Sequence, residues 1–578
     1  MHNTRETMFR LWNYIYKYKW SAFAALLLSL AGNFLALVGP MLCGYAIDAI
    51  SPGKGHVNFD AVFLNCLLMV IFYIVSSLFS YVLSIIMINL SQKVISQMRS
   101  DMFNKLMDLP VNYFDTHQAG EIISRISYDI DTVNASLSTD LLQIFTSMIT
   151  VSVSLGMMIF LSPQLTLVFA ITVPASILLT KYMTSKVRPF FHRRSVLLGS
   201  LNGFVEEIIT GLKTIKVYDR EEYMTQRFDV RNEEAVNAYY KADYYGSMTG
   251  PGVNFINNIS LALISVFGSL LYLFGNITLG NLSSFVLYSR KFSGPINEAA
   301  NILSELQSTF AAARRIFDML DEKPEPEDAE NAVVLDNIDG NVKMEHVNFG
   351  YTPGIDIIHD LNLEAEKADM VAIVGPTGAG KSTIINLLMR FYDPSSGTIS
   401  IDDTNIQNAT RSSLRLSCTM VLQDTWLFNG TVFENIAYGR DDVTMDEVIS
   451  AAKSARIHSF IMQLPDGYDT VLSGGMNISQ GQRQLLTIAR AMLSNSKILI
   501  LDEATSNVDT RTELLIQQAM RKLMHGKTSF VIAHRLSTIR NADVILVLRD
   551  GKIAEKGTHE ELLKKNGVYS ELYKAQFQ

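Results

Sequence analysis

From Trp20 to Leu42 the chain carries no charged side chain, and a helix of that length crosses the hydrocarbon layer of a bilayer. Few features constrain a polypeptide more. Inside lipid every backbone N–H and C=O must be paired within the protein, so such a segment is a helix unless a closed barrel of strands surrounds it. Similar stretches follow: Ala61 to Leu90, Leu141 to Leu161, a run from the Ser162-Pro163-Gln164 turn to about Met183, and Phe255 to Phe274. Charged residues are 18% of the chain, below the roughly 25% of soluble proteins, and the shortage lies before about residue 300.

The links between these stretches orient them. Leu11, Tyr14, Ile15 and Tyr18 share one helical face, with Arg10, Lys17 and Lys19 elsewhere, which reads as a helix in the membrane interface on the cytoplasmic side. The same amphipathic, aromatic character over Met1 to Lys19 gives no expectation of a cleavable signal peptide. Ser51 to Asp60, with Pro52, Gly53 and Gly55, reads as a short external loop. Ser91 to Asp140 and Lys186 to Asp243 are polar, helix-patterned and basic. At about 1.5 Å per residue they extend the spans into the cytosol as stalks.

Leu282 to Leu303 is harder to read, because Arg290, Lys291 and Glu298 each cost about 2.5–3.5 kcal/mol at a bilayer centre. Hydropathy alone counts five spans. With the N-terminus in the cytosol, a soluble second half on the same side requires an even number, so a sixth crossing is expected, its charges facing a wet cavity. The spans are expected near 20–43, 61–90, 137–161, 164–186, 247–275 and 279–303. The expected fold is thus a six-helix all-α transmembrane domain over 1–320, then a soluble α/β domain over 341–578. An acidic, proline-containing linker over 321–340 joins them, beginning Asp321-Glu322-Lys323-Pro324.

The second half is organised around Gly375-Pro376-Thr377-Gly378-Ala379-Gly380-Lys381-Ser382-Thr383. It follows the apolar run Val371 to Val374 and precedes a helical pattern, giving the strand, glycine loop and helix of a phosphate-binding loop. Glycines let backbone N–H groups close on phosphate oxygens, and the helix turns its positive end to the same anion. Lys381 reaches the β- and γ-phosphates as a point charge, and Ser382 places its hydroxyl on Mg²⁺.

Other residues complete an ATP-hydrolysing set. Ile498 to Leu501 reads as a buried strand ending in two carboxylates, Asp502 to hold Mg²⁺ through water and Glu503 to act as general base. His534 follows another β-type run and is positioned to bond the γ-phosphate and orient the attacking water. Gln423 closes a third such run and offers a neutral oxygen to Mg²⁺. Tyr351 has two readings, a ring for stacking on adenine or a core tyrosine, and spacing alone does not choose. Ser479, Gly481 and Gln482, in Ile478-Ser479-Gln480-Gly481-Gln482, open a strongly helical run and form another anion site.

Taken in order, these motifs resemble the ATP-binding cassette (ABC) ATPases, and with spans ahead of them the whole chain resembles a half-transporter of the ABC exporter class. The resemblance implies that Ser479, Gly481 and Gln482 meet the nucleotide of an opposite cassette, and that ATP clamps two cassettes together. It also extends to Asn112-Tyr113-Phe114-Asp115 through Arg125 and to Glu206 through Glu222, similar to the cytoplasmic loops that dock on cassettes in this family. Two departures stand out. The usual Leu-Ser-Gly-Gly-Gln signature has a decoy in Leu472-Ser473-Gly474-Gly475-Met476, but Ile478 has the usual spacing, 24 positions before Asp502. In the signature itself Gln480 replaces a glycine, and the loop before it lacks its usual glutamate. The glutamine is similar to one half of bacterial heterodimeric exporters, the half that supplies an intact general base. A heterodimer with a second half-transporter is therefore expected ahead of a homodimer.

The implied activity is ATP-driven export of an amphipathic small molecule, lipid or peptide. An importer on the same scaffold and an ATP-gated channel or signalling module are the alternatives. Asn254, Asn257, Asn258, Arg290, Asn297 and Glu298 are read either as cavity-lining groups or as inter-helix hydrogen-bonding groups. A net charge of −8 gives no footprint for nucleic acid, and three scattered cysteines give neither a metal spacing nor a disulfide framework.

Overall fold

The computed structural model describes residues 4–50, 55–423, 425–472, 478–502, 509–533 and 539–577. The chain divides into two compact units. One holds Met1–Asp108 and His117–Glu322, the other Leu109–Thr116 and Lys323–Gln578.

Among the described residues, the regular elements of the first unit are all helices. An amphipathic helix, Thr4–Tyr16, buries Leu11 and Ile15 and leaves Trp12 and Tyr16 exposed. Among the described residues, five helical stretches are long and apolar enough to cross a membrane: Lys19–Ile50, Phe59–Asp108, Ala119–Leu161, Pro163–Thr210 and Glu221–Leu273. Leu161 and Pro163 are separated by one extended residue. Ser162 caps the following helix by accepting from the Leu165 amide, and Pro163 occupies the first turn, where its missing N–H costs nothing. Ala119–Leu161 is interrupted by two π-turns, Arg125–Asp129 and Ser136–Asp140.

The last helix, Leu279–Leu320, carries the charges that lowered its hydropathy. Close packing and hydrogen bonds hold it to its neighbours. A Cβ on Gly280 would lie 2.1 Å from the Gly44 carbonyl oxygen, so the two backbones touch only because both residues are glycine. Beside them Asp48 accepts from the Thr278 hydroxyl at 2.8 Å and the Gly280 amide at 2.7 Å. Ser284 donates to the Pro40 carbonyl at 2.8 Å. Lower down, the Arg315 guanidinium grips buried Asp129 through two nitrogens. Phe169, Ile264, Phe285 and Tyr288 fill the core between these helices.

The second unit is α/β. Its strands are β1 (Val342–Phe349), β2 (Ile358–Ala365), β3 (Met370–Val374), β4 (Ser396–Ile401), β5 (Thr404–Asn405), β6 (Cys418–Val421), β7 (Gly430–Thr431), β8 (Val471–Leu472), β9 (Ile498–Asp502), β10 (Thr528–Ile532), β11 (Val544–Arg549) and β12 (Lys552–Gly557). Six of them form a sheet in the order β12-β11-β3-β10-β9-β6, parallel except for β12. A four-stranded antiparallel sheet, β2-β1-β4-β5, covers one face. Parallel strands are buried on both sides, which is why β9 and β10 read as unbroken apolar runs. In β9, Ile498 and Ile500 join the core under the antiparallel sheet. Leu499 and Leu501 join a second core made with the helices Met445–Ser454, Gln480–Leu493 and Thr510–Met524.

Two further segments belong to this unit. Asp115, in the short Val111–Thr116 helix, accepts from the Tyr392 hydroxyl at 2.6 Å. Residues from Lys323 onward group here because Arg411 donates to the Pro326 carbonyl at 2.6 Å and pairs with Asp328, while Arg415 pairs with Glu325. Val333 then bridges to Ala409. Two of the linker's acidic residues, Glu325 and Asp328, are therefore strapped to Arg415 and Arg411 of the Arg411–Ser417 helix. Arg411 is buried, so Arg411→Ala should cost about 1.5–3 kcal/mol. Hydrogen exchange at residues 325–335 should accelerate while the strands stay protected; unchanged exchange there would show that the strap carries no load.

Candidate nucleotide site

The phosphate-binding loop leaves the sheet at Val374, the end of β3, flanked by β10 and β11. Two of its glycines are required by what surrounds them. A Cβ on Gly375 would sit 2.4 Å from the Leu548 carbonyl oxygen. Gly380 caps the Lys381–Leu388 helix at φ +96°, and a Cβ there would meet Ile358 at 2.6 Å. The first amides of that helix have no intrahelical acceptor. Pro376, Thr377, Gly378 and Ser382 are exposed on the rim, whereas Ala379 and Thr383 are buried beneath it. The Lys381 ammonium donates to the carbonyls of Gly375 at 2.9 Å and Pro376 at 3.0 Å, so it lies curled across the loop. Burial pulls its pKa down from the usual lysine value, and the opposing field of Asp502 raises it.

Asp502 ends β9, in register with Ile532 at the end of β10. The carboxyl ends of β3, β6, β9 and β10 thus share one edge of the sheet, where open α/β sheets bind ligands. Gln423 follows β6 on this edge and is exposed. Glu503 and His534 lie outside the described residues, one position after β9 and two after β10. Among the described residues no group of three or more His, Cys, Asp or Glu could hold a metal. Ser382, Gln423 and Asp502 form a sparse, hard-oxygen donor set that fits Mg²⁺ kept largely by water and phosphate oxygens.

Tyr351 is 43% exposed, too open for a core tyrosine. Phe349 and Tyr392 meet it edge-on at 5.0 Å, Asn386 donates to its hydroxyl at 3.1 Å, and that hydroxyl reaches Thr383 at 3.3 Å. It is a propped ring with a free flank, suited to stacking. Ser479 caps the Gln480–Leu493 helix in a reciprocal box. Its hydroxyl accepts from the Gln482 amide at 3.2 Å, and the Gln482 side chain accepts from the Ser479 amide at 3.0 Å. Gly481 is buried in the first turn. This helix packs on the second core and the phosphate loop on the first, so the two anion sites rest on different hydrophobic bodies.

Arg490 was not singled out from the sequence. It lies on the signature helix, donates to the Asn435 carbonyl at 2.8 Å and the Trp426 carbonyl at 3.2 Å, and has the rings of Phe428 and Tyr438 within 6 Å. Asn435 in turn holds Phe428 through both its amide and its carbonyl. The segment after Gln423 is thereby tied to the signature helix. Its only sequence signal was a cation within an otherwise apolar helical run. Of the membrane-half candidates, Glu298 accepts from Gln143 at 2.6 Å. Asn254, Asn258 and Arg290 are exposed, Asn257 is half-buried, and the side chain of Asn297 is outside the described set.

A helical unit of long apolar helices followed by a cassette with this loop, strand edge and signature helix defines an ABC transporter. Residues 22–296 match the ABC transporter transmembrane region and residues 358–506 the ABC transporter cassette. An uncharacterised ABC transporter ATP-binding protein of Bacillus subtilis is 42% identical over 577 residues, covering 100% of this chain and 95% of the relative. A fatty acid ABC transporter ATP-binding/permease protein of Mycobacterium tuberculosis is 44% identical, with 91% and 83% covered. An ATP-dependent lipid A-core flippase of Syntrophus aciditrophicus is 35% identical, with 88% and 85% covered. The structure of a bacterial Atm1-family ABC exporter with ATP bound superposes with a TM-score of 0.79 at 30% identity, covering 97% of this chain and 98% of that one.

The chain belongs to the ABC transporter family. It is a half-transporter of exporter type, a multi-span membrane protein with a cytoplasmic ATP-binding cassette that couples ATP hydrolysis to transport. Arg490→Ala should leave the Asn435 and Trp426 carbonyls short of a donor and lower cassette stability by about 1–3 kcal/mol. Steady-state ATPase should fall with it, and Arg490→Lys should recover stability only in part. Full rescue by lysine would mean that the forked geometry is irrelevant.

Proposed function

We propose that this half-transporter exports an amphipathic small molecule, lipid or peptide by ATP-induced closure of two cassettes and alternating access. The observation that carries the reading is the phosphate loop at the end of β3, with Lys381 folded over it, on the same sheet edge where Asp502 ends β9. Among the relatives, one is named for fatty acids, one for lipid A-core and one for putative multidrug export, and fatty acids and lipid A are amphipathic. Six crossings, with Leu279–Leu320 as the last, give the helical unit both its ends on the cytoplasmic side.

In this mechanism Tyr351 stacks on adenine, and the loop from Gly375 to Thr383 holds the phosphates through backbone amides and Lys381. Ser382, Gln423 and Asp502 would hold Mg²⁺, which would supply charge neutralisation for the triphosphate. Glu503 takes the proton of the attacking water, and His534 orients that water against the γ-phosphate. The Ser479, Gly481 and Gln482 amides and side chains serve the nucleotide of the opposite cassette. ATP binds the closed pair better than the open one, shifts that equilibrium, and releases it on hydrolysis. The capping box at Ser479 supports this role, because it fixes where the helix starts, and the first amides of a helix lack intrahelical acceptors.

We favour a second, unlike half-transporter as partner, on the strength of Gln480 where the signature ordinarily has glycine. Glu503→Gln should lower ATP turnover of the assembled transporter by about 10²–10⁴-fold while ATP still binds. ATP-dependent uptake of a fluorescent amphiphile into inverted vesicles should stop with it. Wild-type turnover in that variant would remove Glu503 from the mechanism, and conductance without uptake would favour a gated channel.

A further inference from the structure

Beneath the amphipathic Thr4–Tyr16 helix lies a cavity of about 1120 Å³. Its walls are largely hydrocarbon: Phe9 and Trp12 from that helix, then Leu26, Leu90, Leu137 and Phe310. Leu137 belongs to the π-turn Ser136–Asp140, an irregularity that recurs at functional sites. The charged lining groups are Arg5, Glu6 and Lys19, all exposed, two cations against one carboxylate. Among the wall hydroxyls, Ser91 donates to the Ile88 carbonyl and accepts from Ser138, and Thr309 donates to the Glu305 carbonyl. Ser29 is different: the residue is 3% exposed and its hydroxyl has no hydrogen-bond partner. A buried hydroxyl left in that state points to a group supplied from outside.

The occupant follows from size, charge and position. Pockets for drug-sized ligands run about 300–1,000 Å³, so this one exceeds that range and takes something bulkier. An empty apolar space of this size would forfeit dispersion contacts along every wall. Its roof is a helix with aromatic and cationic side chains, the kind that lies at the level of lipid headgroups. We infer that the cavity binds an anionic diacyl phospholipid of the cytoplasmic leaflet. The phosphate sits toward Arg5 and Lys19, the chains lie against Leu26, Leu90 and Phe310, and Ser29 offers its hydroxyl to an ester oxygen. The lipid is a resident ligand of each chain, independent of which molecule is exported.

Native mass spectrometry of the full-length assembled transporter, purified in mild detergent with phosphatidylglycerol added, tests this. Wild type should retain a phosphatidylglycerol on each chain. Ala25→Trp, which fills the cavity from a wall residue 5% exposed, should lower that retention by about tenfold. Because Ala25→Trp could misfold the bundle, the exposed Arg5→Glu/Lys19→Glu pair gives a second reading. It should lose phosphatidylglycerol while keeping phosphatidylethanolamine, with ATP binding by the cassette unchanged. Equal phosphatidylglycerol retention in wild type and both variants overturns the assignment. So does a wild type that holds both headgroups equally, or one that retains only detergent or free fatty acid.

Discussion

Helix amides without intrahelical acceptors, presented at the rim of a sheet buried on both faces, are the constraint on which the cassette depends. The sheet has no freedom to move them. β3 is locked between β10 and β11, with Val371 and Ile373 in one core and Ala372 and Val374 in another. A strand held so firmly delivers the start of the Lys381–Leu388 helix to one place, and preorganised donors of this kind need no rearrangement when charge arrives. Lys381 rests on the loop's own carbonyls, so its charge stays at the rim despite burial.

In the helical unit the governing physics is different. Lipid offers helices no hydrophobic reason to associate, so contact rests on close backbone approach and on hydrogen bonds between helices. The Gly44–Gly280 contact, Asp48 with Thr278, Ser284 with Pro40 and Arg315 with Asp129 are of these two kinds. They explain how a helix too polar by hydropathy takes its place beside apolar ones.

The cassette is built on more than one hydrophobic body. Phosphate loop and signature helix belong to separate cores that meet across the alternating faces of β9. Arg490 and Asn435 bridge the signature helix to the segment beyond Gln423, so the part of the site farthest from the loop is still tied to a strand end.

Much of this was legible in the chain itself. A phosphate loop is a local backbone requirement, and so are the Ser479 cap, the Ser162 helix break and the strand ending at Asp502; each is decided by a few neighbouring residues. The roles of Glu503 and His534 rest on that sequence context alone. Tyr351 had two readings until Phe349 and Tyr392 were seen to prop it half-exposed. The linker was drawn as a connection over 321–340, whereas Glu325 and Asp328 fasten it to Arg415 and Arg411. Arg490 drew no notice, and Asp115 meets Tyr392 across 277 positions. Sequence by itself determined the elements and the chemistry of the loop, because backbone geometry and hydropathy act over short range. Only the tertiary structure decided which charges pair, that the buried Ser29 hydroxyl is left without a partner, and which segments join the cassette, because those depend on residues that the chain brings together from far apart.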